Sequence, residues 1–182
     1  TITDGTKYFN INHSGATSGW QNCDLRYDIL GSTNSKGGNP TSAATTSPVS
    51  KTLMAAFPSD LRAVMKLMNV YQSNQAGIDS LSYVSSTYDY LPLLAEFELN
   101  GTRTKANSYE QNYQKQYEYY VCGNSKDKYK HNATSSTTMY WLRSVDVSTG
   151  NTNYHLAYFS SFMPSTGLAN STSLGICPIF RV

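Results

Sequence analysis

Charge is scarce in this chain: Asp, Glu, Lys and Arg make up 14% of its 182 residues, and the formal net charge is +2. A balance so small leaves no electrostatic footprint for nucleic acid. Long apolar runs are missing as well. Nothing approaches the roughly 18 consecutive apolar residues of a membrane-spanning helix, so no membrane insertion is expected. Cysteine is limited to Cys23, Cys122 and Cys177, far apart and odd in number, which gives neither a disulfide framework nor a CxxC pair. Free buried thiols acting as small hydrophobes are expected, with one disulfide plus one free thiol as the alternative. His13, His131 and His155 stand at no metal-ligand spacing from one another or from a cysteine. HExxH, GxSxG, P-loop and strand-linked GxGxxG patterns are absent. Glu96 and Glu98, two apart on a short turn, splay rather than pair, and Asp24 and Asp28 read as an ordinary i, i+4 pair. With no nucleophile–base arrangement in sight, neither enzymatic activity nor a metal or cofactor is expected.

What the chain does have is tyrosine, 15 residues against 6 Phe and 2 Trp, in a setting rich in Ser, Thr and Asn. The stretch from Met139 to Val182 concentrates this character. It opens with MYWLRS and closes with GICPIFRV, two apolar strand-like ends. Between them, Val145 to Leu174 contains no Lys, Arg, Glu, Gln or Trp. Tyr, Ser and Asn supply contact area and adaptable hydrogen bonds at low entropic cost, as recognition surfaces require. An acid–base site needs positioned titratable groups instead.

Along the chain, Lys7–Ile11 reads as a short strand before a Gly/Ser-rich turn. Leu25, Ile29 and Leu30 share one helical face in Trp20–Leu30, with Asn22 as N-cap and Gly31 as terminator. Residues 31–50, rich in Gly, Ser, Thr, Asn and Pro, read as an exposed excursion. Pro58 and Ser59 start a short helix, with Asp60 at its dipole. Strands follow at about Lys66–Gln72 and Tyr90–Leu94, the second running into a helical turn at Ala95–Leu99. Tyr109, Tyr113, Tyr117 and Tyr120 recur as one stripe of an amphipathic helix packed on the core, stopped by Gly123 and Asn124. The KDKYKH run reads as a solvated loop. Met139–Arg143, about Tyr154–Phe159 and Ile176–Val182 complete the strands, giving an α+β domain.

Five motifs together carry a family resemblance: GW-x-x-x-x-LR at Gly19–Arg26, FPSDLRAVMK at Phe57–Lys66, the long run Leu93–Tyr120, YWLRS at Tyr140–Ser144 and GICPIFRV at Gly175–Val182. The chain resembles the domains of prophage tail and gut-bacterial surface proteins whose closing motif is of the GVRPAFRV type. That family is similar in turn to the C-type-lectin-like fold shared by formylglycine-generating enzymes and the variable proteins of diversity-generating retroelements. The resemblance covers most of residues 19–182. It implies a single C-type-lectin-like domain over residues 1–182, the C-terminal part of a larger protein, located on a phage tail (virion) or a bacterial cell surface. The EPN or QPD and WND triplets of calcium-dependent lectins are absent, and Cys177 stands alone where the enzymatic branch has a cysteine pair, so neither activity is implied.

Diversity-generating retroelements mutate adenines, typically in Asn codons, and such codons cannot reach Lys, Glu, Gln, Trp or Met. Val145–Leu174 lacks the first four, with Met163 as its exception. Template-directed variation and ordinary depletion of charge on a displayed loop both account for this.

The resemblance therefore implies receptor or ligand recognition by a displayed C-terminal surface, the partner being a host cell-surface protein or glycan. A structural spacer in a tail fibre or adhesin is the alternative. Homo-oligomerisation would run through a part N-terminal to this chain. YWLRS and GICPIFRV would pin a long, irregular loop region to the core, with Trp141 and Phe180 in the core and Arg143 a satisfied, half-buried donor. In Tyr154–Phe159, Leu156 and Tyr158 match the family's apolar positions and should point inward. The expected binding residues are Tyr154, His155, Ala157 and Phe159, joined by Phe162, Met163, Ser165, Leu168 and Asn170.

Overall fold

The computed structural model describes residues 19–121, 130–131, 137–150, 154–158, 164–168, 170–171 and 174–182, and for 130–131, 137–138, 154–158 and 164 the backbone alone. The fold is α+β. Its helices are single turns or little more: α1 (Ala43–Thr46), α2 (Leu53–Ala56), α3 (Ser59–Val64), α4 (Glu96–Asn100) and α5 (Glu118–Val121). An antiparallel pair joins β1 (Met68–Ser73) to β2 (Val84–Asp89). A second small pair joins β3 (Lys130–His131) to β4 (Thr137–Thr138). The third sheet has the order β5 (Tyr140–Val145), β6 (Tyr154–Tyr158), β7 (Pro164–Leu168), antiparallel throughout.

Local chemistry explains where the short helices sit. Thr52 caps α2 by accepting from the Ala55 N–H at 3.3 Å. Pro58 and Ser59 open α3 as expected, and Asp60 lies in its first turn. Arg62, in the last turn of α3, donates through Nε to the Thr45 carbonyl at 2.9 Å and through Nη1 to that of Phe57 at 2.7 Å. One guanidinium thus ties α3 to α1. Glu98 reaches back to the Ala95 N–H at 2.9 Å to start α4, and Gly101, at φ +69°, ends it in the left-handed conformation.

The strand β5 organises the core because all six of its residues are buried. Trp141 packs with Trp20, Cys23, Leu25, Leu30, Leu93 and Leu174. Its neighbours Tyr140 and Leu142 belong to a second cluster with Leu94, Leu99 and Ala106. Adjacent residues of a strand face opposite ways, so the apolar succession Tyr140, Trp141 and Leu142 marks a strand buried on both faces. Leu93 and Leu94 divide between the same two clusters. The closing segment laces these layers together. The Trp141 N–H donates to the Gly175 carbonyl at 3.0 Å, Ile179 N–H to Pro92 at 2.9 Å, and Lys66 N–H to Arg181 at 2.8 Å.

Several expectations are corrected. Trp20–Leu30 is two pieces, a 3-10 turn at Trp20–Asn22 and a π-helical turn at Leu25–Ile29, with Asp24 rather than Asn22 at the N-cap position of the second. At the start of the first piece, a Cβ on Gly19 would lie 2.2 Å from the Asn74 Cα, so the chain enters it pressed backbone to backbone against the residue after β1. Residues 31–50 are an exposed excursion only in part: residues 35–36, 41–42 and 46–47 are exposed, but both ends of the stretch 31–45 are anchored in the fold. Ser32 and Thr33 are fully buried, and the Ser32 hydroxyl donates to Asp89 at 2.9 Å while accepting the Leu91 N–H at 3.0 Å.

No strand forms at Tyr90–Leu94, where Leu93 makes one isolated bridge to Pro178, or at Ile176–Val182, whose ladder pairing is limited to the isolated bridges of Pro178 and Arg181. The tyrosine stripe does not lie on one helix. A 3-10 turn at Glu110–Tyr113 and the short α5 replace it, because Glu110 rather than Tyr109 or Tyr113 turns inward. Phe180 is 43% exposed, packed at a tilt against Phe57 with ring centroids 5.9 Å apart, and is not a core residue. Lys7–Ile11, Cys122, Gly123 and Asn124 lie outside the described residues.

Candidate recognition surface

Most of the titratable groups buried among the described residues hold the fold together; buried Asp146 keeps one carboxylate oxygen, Oδ2, without a hydrogen-bond partner. Arg26 pairs with Asp89 at 2.6 Å, both inaccessible to solvent, and Asp89 also accepts from the Trp20 indole at 2.9 Å and from the Thr87 hydroxyl at 2.6 Å. Arg143 is fully buried rather than half-buried. It donates to Glu98 at 2.6 Å, to the Tyr71 carbonyl at 3.2 Å and to the Leu93 carbonyl. Glu96 accepts the N–H groups of Thr104, Lys105 and Ala106, bending the chain after α4 around its carboxylate. Glu110 accepts from the Ser73 N–H and the Ser144 hydroxyl, each at 2.7 Å, and burial pushes its carboxyl up to about 7. Asp24 is paired with Lys36. Burial pushes the Cys23 thiol up to about 12, far from the range of a reactive thiolate. Among the described residues, no three His, Cys, Asp or Glu side chains gather as a metal site would require.

The other surface of interest hangs from β5. Register pairs Trp141 with Ala157 and Val145 with His155, then Ala157 with Ser165 and His155 with Gly167. The ladder slips between Trp141 and Val145. Such a slip bends a strand and sharpens its twist. Gly167 sits where the Trp141 ring passes: a Cβ there would lie 3.0 Å from both the ring and the Leu174 side chain. This strand therefore rests directly on the first core cluster. Alternate side chains put Ser165 on the same face as Gly167, and Thr166 and Leu168 on the opposite one. Ser165 and Thr166 are both half-buried, and within β7 the exposed side chain is Leu168, at 43%. The chain then turns, Ser171 N–H donating to the Leu168 carbonyl at 2.8 Å, and exposes Asn170.

Of the expected binding residues, Leu168 and Asn170 come together at the surface, and Ser165 lies on the other face of β7. On β6 the register sets Tyr154 opposite Leu168, but His155 and Ala157 opposite Gly167 and Ser165, so it does not bring these two together with Leu168 as expected. Phe159, Phe162 and Met163 lie outside the described residues. Sequence reasoning gives no site role to Tyr117, Tyr120, Ile179 or Arg181, which line one groove. The signal is present in the clustered tyrosines, but their spacing suggests a helical stripe instead. No family model, curated protein or solved structure matches the chain.

Proposed function

We propose that this chain is a recognition domain that binds its partner through the exposed end of β7, at Leu168, and the turn that follows it, without a metal or cofactor. The observation that carries the proposal is the contrast between β5 and β7. A strand buried at every residue supports, two strands away, an edge that presents Leu168 and Asn170 to solvent. A contact residue on a rigid element needs little ordering on binding, which favours affinity. Arg26, Arg143, Asp89, Glu96, Glu98 and Glu110 are occupied by structural partners, which favours binding over acid–base catalysis.

The motif resemblance extends the proposal. On that resemblance we propose a C-type-lectin-like domain on a phage tail or bacterial surface, with a host cell-surface protein or glycan as partner. The test is retention of the purified domain on a panel of intact gut-bacterial cells, wild type against Leu168→Ala and Asn170→Ala. Strain-selective retention that the two variants lose supports the proposal; equal retention of wild type and both variants contradicts it.

A further inference from the structure

Tyr140 and Leu142 of β5 belong to the second core cluster, and Tyr117, Tyr120 and Ile179 pack against that cluster from outside. There the chain leaves a groove of about 380 Å³, with walls that include Leu94, Tyr117, Tyr120, Ile179, Phe180 and Arg181. The volume lies within the roughly 300–1,000 Å³ of small-molecule clefts. The lining is aliphatic and aromatic except for Arg181, the one charged side chain among the described lining residues. Arg181 is exposed, and its Nη2 donates to the Leu67 carbonyl at 3.3 Å. That bond steadies the guanidinium at the rim and leaves Nε and Nη1 with no partner among the described residues. No carboxylate among the described lining residues neutralises it. Glu98, close beneath Tyr117, is held by Arg143.

A ligand for such a groove needs an apolar body and one negative charge. A polyhydroxylated ligand is poorly served, because its hydroxyls would lose water for walls of mostly carbon. A neutral apolar ligand would leave the free guanidinium edge unused, whereas a carboxylate matches its fork geometry. Burial pushes the Tyr120 hydroxyl up to about 12, so the wall adds no competing negative charge at neutral pH.

We propose that this groove binds an apolar monocarboxylic acid, its body held against Leu94, Tyr117, Tyr120 and Ile179 and its carboxylate paired with Arg181. The site is additional to the β7 surface.

The probe is 2-naphthoate, titrated calorimetrically into the full chain beside its neutral counterpart 2-naphthamide. Saturable one-to-one binding is expected, at least about tenfold tighter for the acid, since charge-assisted hydrogen bonds are roughly twice as strong as neutral ones. Arg181→Gln, a change at an exposed side chain, should bring the acid down to the affinity of the amide. Leu168→Ala should leave naphthoate binding unchanged, which separates this site from the recognition surface. The comparison of acid and amide on the unaltered chain stands without any variant. Absence of saturable binding, equal affinity for acid and amide, or an undiminished preference in Arg181→Gln would overturn the proposal.

Discussion

Arg143 of β5 and Glu98 of α4 form a buried ion pair, Nη2 to Oε1 at 2.6 Å, 45 residues apart in sequence. The pair joins the two halves of the second core cluster. Glu98 simultaneously caps α4 through the Ala95 N–H, and Arg143 also holds the carbonyls of Tyr71 and Leu93. Removing one partner of a buried pair strands the other charge. Arg143→Met should therefore cost about 3–5 kcal/mol. The double variant Arg143→Met/Glu98→Gln should cost less than the sum of the two single changes, because no charge is left stranded. Urea denaturation of the four proteins measures this coupling. Strict additivity would show that the two residues act independently.

Glu110 gives the fold a pH dependence of definite sign. An ordinary glutamate titrates near 4.5, and burial pushes this one up to about 7. Between those values the folded chain holds a proton that the unfolded chain has released. The group's contribution is therefore fully present below about pH 4.5 and is lost as the pH rises towards 7. At about 1.4 kcal/mol per pH unit, the loss is on the order of 3 kcal/mol. Glu110→Gln should flatten this part of the stability profile while keeping an acceptor for the Ser73 N–H. Denaturation midpoints at about pH 4.5, 6 and 7.5, compared between wild type and variant, decide it. A difference between the two proteins that does not vary with pH would contradict the assignment.

Trp141 and Gly167 are matched in size. Trp141→Ala should cost about 3–5 kcal/mol, as large-to-small core changes do. Gly167→Ala should cost about 1–3 kcal/mol through the opposite fault, a methyl pressed against the indole and Leu174. In a Trp141→Phe background, the smaller ring should absorb the added methyl, so the penalty for Gly167→Ala should shrink. Melting temperatures of the two single variants and the double variant test this. An unchanged penalty in the Trp141→Phe background would mean that the close approach is not what makes glycine necessary.

Much of this architecture is legible where local chemistry and burial agree. The α3 start at Pro58 and Ser59, the turn after Ala95 and the burial of Trp141 all follow from residue type and immediate neighbours. What is not legible depends on polar groups used inside the fold. Ser32 and Thr33 have the composition of a loop, yet both are buried and the Ser32 hydroxyl satisfies buried Asp89. Glu110 has the spacing of the solvent side of an amphipathic helix, but it anchors the end of β1 to β5 through Ser73 and Ser144. Once it turns inward, Tyr109 and Tyr113 are carried to the surface, where Tyr113 stacks on Tyr71 at a centroid distance of 4.6 Å. Phe180 has the hydrophobicity of a core residue, but the closing segment bonds through single bridges and leaves its ring on the rim of a groove. For the proposed recognition surface, composition points to the segment without separating the two faces of β7. That separation depends on the contact between Gly167 and Trp141, which no periodicity encodes.

The central claim is that stability and recognition reside in different residues of the same C-terminal segment. Single alanine variants of Leu168, Asn170, Trp141 and Leu174, each measured for melting temperature and for retention on intact bacterial cells, test it directly. Leu168→Ala and Asn170→Ala alter exposed side chains and should stay within about ±0.5 kcal/mol of wild-type stability while retention falls sharply. Trp141→Ala and Leu174→Ala remove fully or nearly fully buried side chains and should lose folding first. If the Leu168 and Asn170 variants unfold as readily as the core variants, or keep full retention, the division between a rigid support and a displayed contact edge is wrong.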